Sequence, residues 1–352
     1  MNTTLMQALR LTEWQSDPVI TEVPVPEPRG SEVLVEVAAA GLCRTDLHIM
    51  SSPPGSYPYQ LPFTLGHESA GRVAALGPQA SGFEPGDSVV VYSRWGCGTC
   101  WQCTHGRDNA CVRTHSGPHG GGLGRDGGLA EYLLVPSARY LVPTPGLDPV
   151  RAAPLADSAL TSYHAVKLSL PQLHSESTVV VIGVGGLGHM AVQILKAITP
   201  ARIVVVDLRS AALEMAHAAG ADVTLSADGL TAEDVRAATD PDGASVVLDF
   251  VGNDTTLALA AASVAQGGDV TFVGRGGGEL RVAPGLIPYE TTVRMPTWGT
   301  VEELAEVVAL AAAGKIHSET EVYGFDDAVS AYGKLRQGDV LGRAVVIPSG
   351  LN

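Results

Sequence analysis

Aromatic residues, cysteines and cations are all scarce in this chain of 352 residues. Phe, Trp and Tyr make up only 5% of it, so any aromatic cluster marks an apolar pocket rather than a general background. Lys and Arg number 22 against 37 Asp and Glu, a formal net charge of −15, and no basic cluster stands out. That balance argues against nucleic acid or an anionic membrane as partner. An anionic ligand must then be held by local groups, not by the overall field. No apolar run approaches the roughly 20 residues of a membrane span. Met1 to Arg10 has no basic region followed by an apolar core, so no secretory signal is expected and a cytoplasmic location is. The five cysteines are an odd number in a chain without a signal, which argues against a disulfide framework and makes metal binding or catalysis the better explanation. An apolar content of 45% with 17% charged residues describes a well-packed globular protein, long enough for two domains.

Glycine is abundant, at 41 residues, and its placement is informative. Thr178 to Ile182 is a β-branched apolar run that predicts a strand buried on both faces. Gly183, Gly185 and Gly188 follow in G-x-G-x-x-G spacing. Leu187, Ala191, Ile194, Leu195 and Ile198 then recur at helical intervals, and Ile203 to Val206 is a second buried strand ended by Asp207. Strand, glycine turn, helix, strand and acid together predict a dinucleotide-binding βαβ unit. The helix N-terminus offers N–H groups to a pyrophosphate. A carboxylate at Asp207 accepts from ribose hydroxyls and repels a 2′-phosphate, which favours NAD over NADP. Arg209 lies close enough to soften that preference.

The first 156 residues or so have the texture of an antiparallel β domain. Val33, Val35 and Val37 alternate as in a half-buried strand; Ser69 to Leu76 and Ser88 to Tyr92 are further strand candidates around a turn at Pro85-Gly86-Asp87. Stretches 51–62 and 114–128 are long, irregular and rich in Gly, Pro and Ser, as functional loops often are. Cys43 and His67 each fit a structural role, since a free Cys is commonly a small buried hydrophobe. Together they make a candidate Zn²⁺ site. Cys97, Cys100, Cys103 and Cys111 form C-x₂-C-x₂-C-x₇-C. Four thiolates at this spacing suit a closed tetrahedral zinc lobe over about 95–113. An iron–sulfur cluster is the rival, and the x₇ gap and the lack of Pro after Cys111 weigh against it.

These motifs carry a family resemblance. A-A-G-L-C-x-T-D, L-G-H-E, the cysteine lobe, G-V-G-G-L-G and the closing G-R-x-V-V together resemble the zinc-dependent medium-chain alcohol dehydrogenases over essentially the whole length. The chain looks most like the bacterial NAD-dependent branch active on secondary and aryl alcohols. The resemblance implies an α/β protein with a GroES-like β-barrel catalytic domain and a Rossmann doubly wound parallel-sheet cofactor domain. The catalytic domain would be 1–158, the cofactor domain 159–299, and 300–352 would return to the catalytic domain. It implies two Zn²⁺ per subunit, NAD as cofactor, and a homodimer or homotetramer. Cys43, His67 and Asp157 would hold the catalytic zinc, the last in Pro154-Leu155-Ala156-Asp157 where many relatives use a Cys. Glu68 would sit beside the metal, Thr45 would contact the substrate oxygen, and His48 would end the proton relay. Arg44 and Arg343 would contact cofactor phosphate. Thr161, Gly183, Gly185, Gly186, Leu187, Gly188, Asp207, Arg209, Val251, Val273 and Gly274 would line the cofactor site. Tyr59, Trp95, Leu123, Thr297 and Trp298 would line the substrate pocket, with Thr297 making it roomy enough for bulky or aryl groups.

The implied activity is reversible oxidation of an alcohol to a ketone or aldehyde by hydride transfer. An alcohol is too weak an acid to release hydride as it stands, and a metal supplies the missing acidity. The alternative within the superfamily is a polyol or amino-alcohol dehydrogenase, which needs polar groups for extra hydroxyls. A zinc-free quinone-type reductase would lack the Cys/His pair and the cysteine lobe. A non-enzymatic NAD-binding protein would have no use for an open metal site. In the second half, helices are expected over Ser210–Ala219, Val301–Ala313 and Asp326–Arg336. Strands are expected over Asp222–Leu225, Ser245–Phe250, Asp269–Val273, Val293–Trp298 and Val340–Ile347.

Overall fold

The computed structural model describes residues 4–349; the three residues at each end, which fall within the expected catalytic segments, lie outside the described residues. The chain divides into two compact units. One comprises Met1–Asp157, Thr300–Ala312 and Ser318–Asn352, the other Ser158–Gly299 and Ala313–His317. Among the described residues no helix is long and apolar enough to cross a membrane.

The first unit is built on the strand Val33–Gly41, whose side chains are buried on both faces. It pairs antiparallel with Glu68–Leu76, with Tyr132–Val135 and, at its end, with Arg343–Ile347. The seven-stranded sheet runs Leu141–Pro143, Ser88–Val91, Glu68–Leu76, Val33–Gly41, Arg343–Ile347, Thr320–Gly324, with Tyr132–Val135 off this path. A second sheet holds Val19–Pro24, Leu5–Leu11 and Phe63–Thr64. One register detail matters for the site. Gly41 stands opposite both Glu68 and Val345, and a Cβ on Gly41 would lie 2.0 Å from the Glu68 carboxylate. Only glycine lets that carboxylate lie against the strand.

The second unit holds a six-stranded parallel sheet in the order Val223–Ser226, Arg202–Asp207, Thr178–Ile182, Ala244–Asp249, Val264–Phe272, Thr292–Arg294. This is the doubly wound order, with its switch point between Thr178–Ile182 and Ala244–Asp249. Its core is aliphatic, with Val180, Ile182, Val204, Val206, Val247 and Val270 fully buried. The helix Gly188–Ile198 follows the first strand, and a Cβ on Gly188 would lie 1.9 Å from the Gly183 carbonyl oxygen. Gly183 itself turns with φ +86°, a conformation glycine adopts freely.

Several expected elements need correction. The last strand of the parallel sheet is Thr292–Arg294 and does not reach Trp298. Pro296 has no N–H for a ladder, and Trp298 takes a positive φ of +53°, so the chain leaves the sheet there. The strand expected at Asp269–Val273 is the second half of Val264–Phe272, broken in pattern by Gly267 and Gly268. The expected helix at Asp326–Arg336 is a 3₁₀ turn, Phe325–Asp327, and then a helix, Ala328–Gln337, stopped by Gly338 in the left-handed region. The closing strand starts at Arg343, not Val340, and pairs parallel with Thr320–Gly324, a strand whose mixed polar sequence concealed it. The segment after Asp157 is a helix, Ser158–Leu168.

The fingerprint glycines separate by role. Gly188→Ala is expected to cost about 1–3 kcal/mol of stability through overpacking against the Gly183 carbonyl. A Cβ on Gly185 would meet nothing within 4 Å, so Gly185→Ala is expected to shift stability by no more than about 0.5 kcal/mol. Urea unfolding of the two variants beside the native chain measures both.

Candidate active site and metal centres

The first site forms where two strands of the seven-stranded sheet end. Val33–Gly41 delivers Cys43, two residues past its end, as the N-cap of the helix Arg44–Ser51. Glu68–Leu76 starts immediately after His67. The turn Ala153–Ala156 delivers Asp157, and Arg343–Ile347 opens with Arg343. Cys43, His67, Glu68 and Asp157 are buried, and their donor atoms all lie within 4.8 Å of one another.

The contacts sort these residues. Cys43 Sγ lies 3.3 Å from Asp157 Oδ2, and His67 Nε2 lies 3.7 Å from the same oxygen. Ligands of one tetrahedral zinc stand about 3.3–3.8 Å apart when bonds run 2.0–2.3 Å. The set thus fits a metal ion with one S, one N and one O donor. His67 Nδ1 faces Asp46 Oδ1 at 3.0 Å. That pairing puts the ring proton on Nδ1 and leaves Nε2 as the lone-pair donor, as metal-binding histidines require. Asp46 is itself fixed, accepting from the Tyr332 hydroxyl at 2.9 Å and the Cys43 N–H at 3.1 Å.

Glu68 is held differently. Arg343 Nε donates to Glu68 Oε2 at 2.9 Å, and Arg343 Nη2 donates to Glu68 Oε1 and, at 2.9 Å, to Asp157 Oδ2. The resemblance gave Arg343 a phosphate contact; its Nε and Nη2 serve these two carboxylates, and it is only 3% exposed. The electrostatics separate the two acids. Burial pushes the Glu68 carboxyl up, against the opposing pull of Arg343. Burial acts upward on Asp157 too, but His67 and Arg343 hold it well below the usual carboxylate range. Burial alone would lower the His67 imidazole, yet Asp46, Asp157 and Cys43 raise it well above its ordinary value. The pocket therefore calls for positive charge beside Nε2, which a divalent cation provides while the imidazole stays neutral. Arg343 engages both acids: both oxygens of Glu68, and Oδ2 of Asp157, the oxygen that also faces Cys43 and His67.

Thr45 and His48 lie three residues apart on the helix Arg44–Ser51, hence on one face. The Thr45 N–H points at Cys43 Sγ, 3.4 Å away. The Ser52 hydroxyl donates to the His48 carbonyl at 2.7 Å, tying down the helix end. Arg44 is exposed on the same helix. Trp95, Tyr59 and Leu123 are buried around the glycine-rich stretch 120–128. A Cβ on Gly122 would lie 2.8 Å from the His67 backbone nitrogen, and one on Gly124 2.5 Å from the Tyr59 ring. Tyr59 also hydrogen-bonds His119 Nδ1 at 2.8 Å. Thr297 and Trp298 belong to the other unit, beyond its last strand.

The second site is the cysteine lobe. Its sulfurs stand 3.5 Å (Cys100–Cys103), 3.9 Å (Cys100–Cys111) and 4.0 Å (Cys97–Cys103) apart. A ZnS₄ tetrahedron with 2.3 Å bonds has edges of about 3.8 Å. Backbone N–H groups of Cys100 and Cys97 point at Cys97 Sγ and Cys111 Sγ, each at 3.3 Å. Hydrogen bonds from Thr99 lower the Cys97 thiol to about 5, while burial pushes Cys103 up. Four thiols so placed, all free, suit a closed metal site.

The third site lies at the switch point of the parallel sheet. Asp207 Oδ2 accepts the Val184 N–H at 2.6 Å, and its Oδ1 accepts the Arg209 N–H at 2.9 Å. Arg209 folds back, with Nε 3.5 Å from Asp207 Oδ1 and Nη2 3.2 Å from the Val184 carbonyl. Gly186 and Leu187 form the turn into the helix; Val251, Val273 and Gly274 are half-buried just past two strand ends. Thr161 is buried on the helix Ser158–Leu168.

Sequence reasoning passed over Asp46 and Tyr332. The T-D pair after Cys43 was the available signal for Asp46; Tyr332 had none, lying 286 residues away. Asp46→Ala is expected to weaken metal binding at the Cys43 cluster by about 10–100-fold. Zinc counted after dialysis against a chelator should then fall by one per chain, with the cysteine lobe still loaded.

Comparison with known proteins agrees with this geometry. The model of the alcohol dehydrogenase GroES-like domain matches residues 29–146, and that of the zinc-binding dehydrogenases matches 186–313. An NAD-dependent alcohol dehydrogenase of Sulfurisphaera tokodaii is 35% identical over 97% of this chain and 100% of its own. A D-arabinose 1-dehydrogenase (NADP(+)) of Saccharolobus solfataricus is 36% identical over 95% of each. The crystal structure of the alcohol dehydrogenase from Aeropyrum pernix superposes with a TM-score of 0.89 at 35% identity, covering 97% of this chain and 100% of that one. With both domain models matched and full-length relatives at this identity, the chain belongs to the zinc-dependent medium-chain alcohol dehydrogenase family.

Proposed function

We propose that this chain is an NAD-linked zinc alcohol dehydrogenase that interconverts an alcohol with its ketone or aldehyde by hydride transfer. The observation that carries the reading is the buried convergence of Cys43, His67 and Asp157, with Glu68 beside them and both of its oxygens bound by Arg343. Three protein ligands leave a position for substrate, as catalytic zinc sites do. Held by these residues, a zinc ion would supply the Lewis acidity that lowers the pKa of a bound hydroxyl to about 7. The chain's own residues do the rest. Asp46 fixes the imidazole of His67, and Arg343 holds Asp157 and Glu68 in place. The Thr45 hydroxyl would relay the substrate's proton, taking it as it gives up its own, and His48, on the same helix face, would deliver the released proton to solvent. The cysteine lobe braces its loop with a second, closed zinc.

NAD is favoured because the Asp207 carboxylate stands at the end of the second strand, where it would accept from ribose hydroxyls and repel a 2′-phosphate. A sugar or polyol dehydrogenase is the second reading, motivated by the D-arabinose 1-dehydrogenase relative. Buried Trp95, Tyr59 and Leu123 favour an apolar substrate instead. The protein acts as a cytoplasmic homodimer or homotetramer in this reading. Exposed Val282, Leu286, Tyr289 and Met295 around the edge strand Thr292–Arg294 give a second copy an apolar surface to cover.

The test is metal content per subunit beside initial rates with NAD and NADP on a secondary alcohol. Two zincs and a clear preference for NAD are expected. One zinc without turnover would remove the Cys43, His67 and Asp157 assignment. Pocket size has its own check: Thr297→Tyr is expected to lower kcat/KM on bulky aryl ketones by at least about tenfold, the scale of a filled pocket. Unchanged kinetics would mean that Thr297 does not border the substrate.

A further inference from the structure

We propose that Asp249 is a positioning residue that sets the two loops receiving the nicotinamide half of the dinucleotide. The inference rests on the reading of the parallel sheet as an NAD site. In a doubly wound sheet each βαβ half serves one nucleotide, on its own side of the switch point. The glycine fingerprint and Asp207 belong to the adenosine side. The loops beyond Ala244–Asp249 and Val264–Phe272 lie on the other side of the switch point.

These two loops are sewn together by their backbones. The Gly276 N–H donates to the Val251 carbonyl at 2.9 Å and the Gly278 N–H to the Gly252 carbonyl at 3.0 Å. The Glu279 N–H donates to the Asp254 carboxylate at 2.9 Å. The approach is so close that a Cβ on Gly252 would lie 2.2 Å from the Gly274 carbonyl oxygen. The seam starts from one residue. The Asp249 carbonyl accepts the N–H groups of Val273 at 2.7 Å and Gly274 at 3.1 Å. Its carboxylate Oδ1 accepts those of Val251 at 2.8 Å and Gly252 at 3.0 Å. Both loops thus hang from position 249: the Val251–Gly252 loop by the carboxylate, and the Val273–Gly274 loop, sewn to it, by the main-chain carbonyl that any residue there would supply. Fixing those peptides fixes which way the Val251, Val273 and Gly274 backbones face the crevice.

The setting is costly for an acid. Asp249 is fully buried, and the strand before it is aliphatic at Val246, Val247 and Leu248. Few polar groups offset that burial: the Val251 and Gly252 N–H groups on Oδ1, and the Thr256 hydroxyl near the carboxyl. Burial pushes the carboxyl up, opposed by the nearby Thr256 hydroxyl and the Val251 and Gly252 N–H groups. A buried carboxyl costs stability, a cost worth bearing where the acceptor it provides is needed. Here the needed acceptor is Oδ1. A purely structural role would loosen the whole sheet; a positioning role acts on one half of the cofactor.

Binding of NADH and of ADP-ribose, which lacks the nicotinamide, separates these roles in the full-length enzyme by titration calorimetry. Asp249→Ala is expected to raise the Kd for NADH at least tenfold, about 1.4 kcal/mol, while that for ADP-ribose moves less than about twofold. Asp249→Asn keeps an oxygen acceptor for the Val251 and Gly252 N–H groups, and is expected to bind NADH within about twofold of the native enzyme. Equal weakening of both ligands, no weakening of either, or a tenfold loss in Asp249→Asn overturns the inference. If Asp249→Ala does not fold, Asp249→Val, which suits a strand and likewise offers no acceptor, takes its place with the same expected and overturning outcomes. A native enzyme that binds neither ligand would instead overturn the reading of the sheet as an NAD site.

Discussion

The first unit is arranged around acidic groups buried close together. Cys43, Asp46, Glu68 and Asp157 are buried together, and acidic groups so placed need cations and hydrogen bonds to stay folded. Arg343 is the cation the chain provides. It reaches the cluster only because the C-terminal strand Arg343–Ile347 lies beside Val33–Gly41. A divalent metal is the cation it does not provide, and His67, Cys43 and Asp157 are set at ligand spacing for one. The sheet topology, the glycine at Gly41 and the Tyr332–Asp46 bond all follow from holding these groups a few ångströms apart.

The second unit handles charge in the opposite manner. An acidic chain has little global field to attract an anionic cofactor. The parallel sheet instead aims backbone N–H groups and a helix N-terminus at one spot, where partial charges act at short range. Gly183, Gly185 and Gly188 bring the backbone close, and Asp207 is held by two N–H groups at the neighbouring strand end. Across the switch point, Asp249 plays a comparable part for the other two loops.

Much of this was legible in the sequence. The strand Thr178–Ile182 stands in the structure with the bounds its apolar run suggested, because β-branched residues buried on both faces leave no other period to fit. The C-x₂-C-x₂-C-x₇-C spacing brought four sulfurs together, since short spacers cannot keep them apart. Strand ends were less legible. Val293–Trp298 read as the last strand of the sheet, but Pro296 and the left-handed Trp298 end it early. Thr320–Gly324 alternates poorly and is a strand because Arg343–Ile347 pairs with it.

The sequence by itself determined the local chemistry: which residues can ligate a metal, where the glycine turn lies, and which strand ends in Asp207. Tertiary structure alone decided what those residues face. Arg343 meets Glu68 across 275 positions of chain, and Tyr332 meets Asp46 across 286. No local pattern encodes such pairs, because periodicity reports only which face of an element is buried. The partner on that face is chosen by the register of strands brought together from opposite ends of the chain.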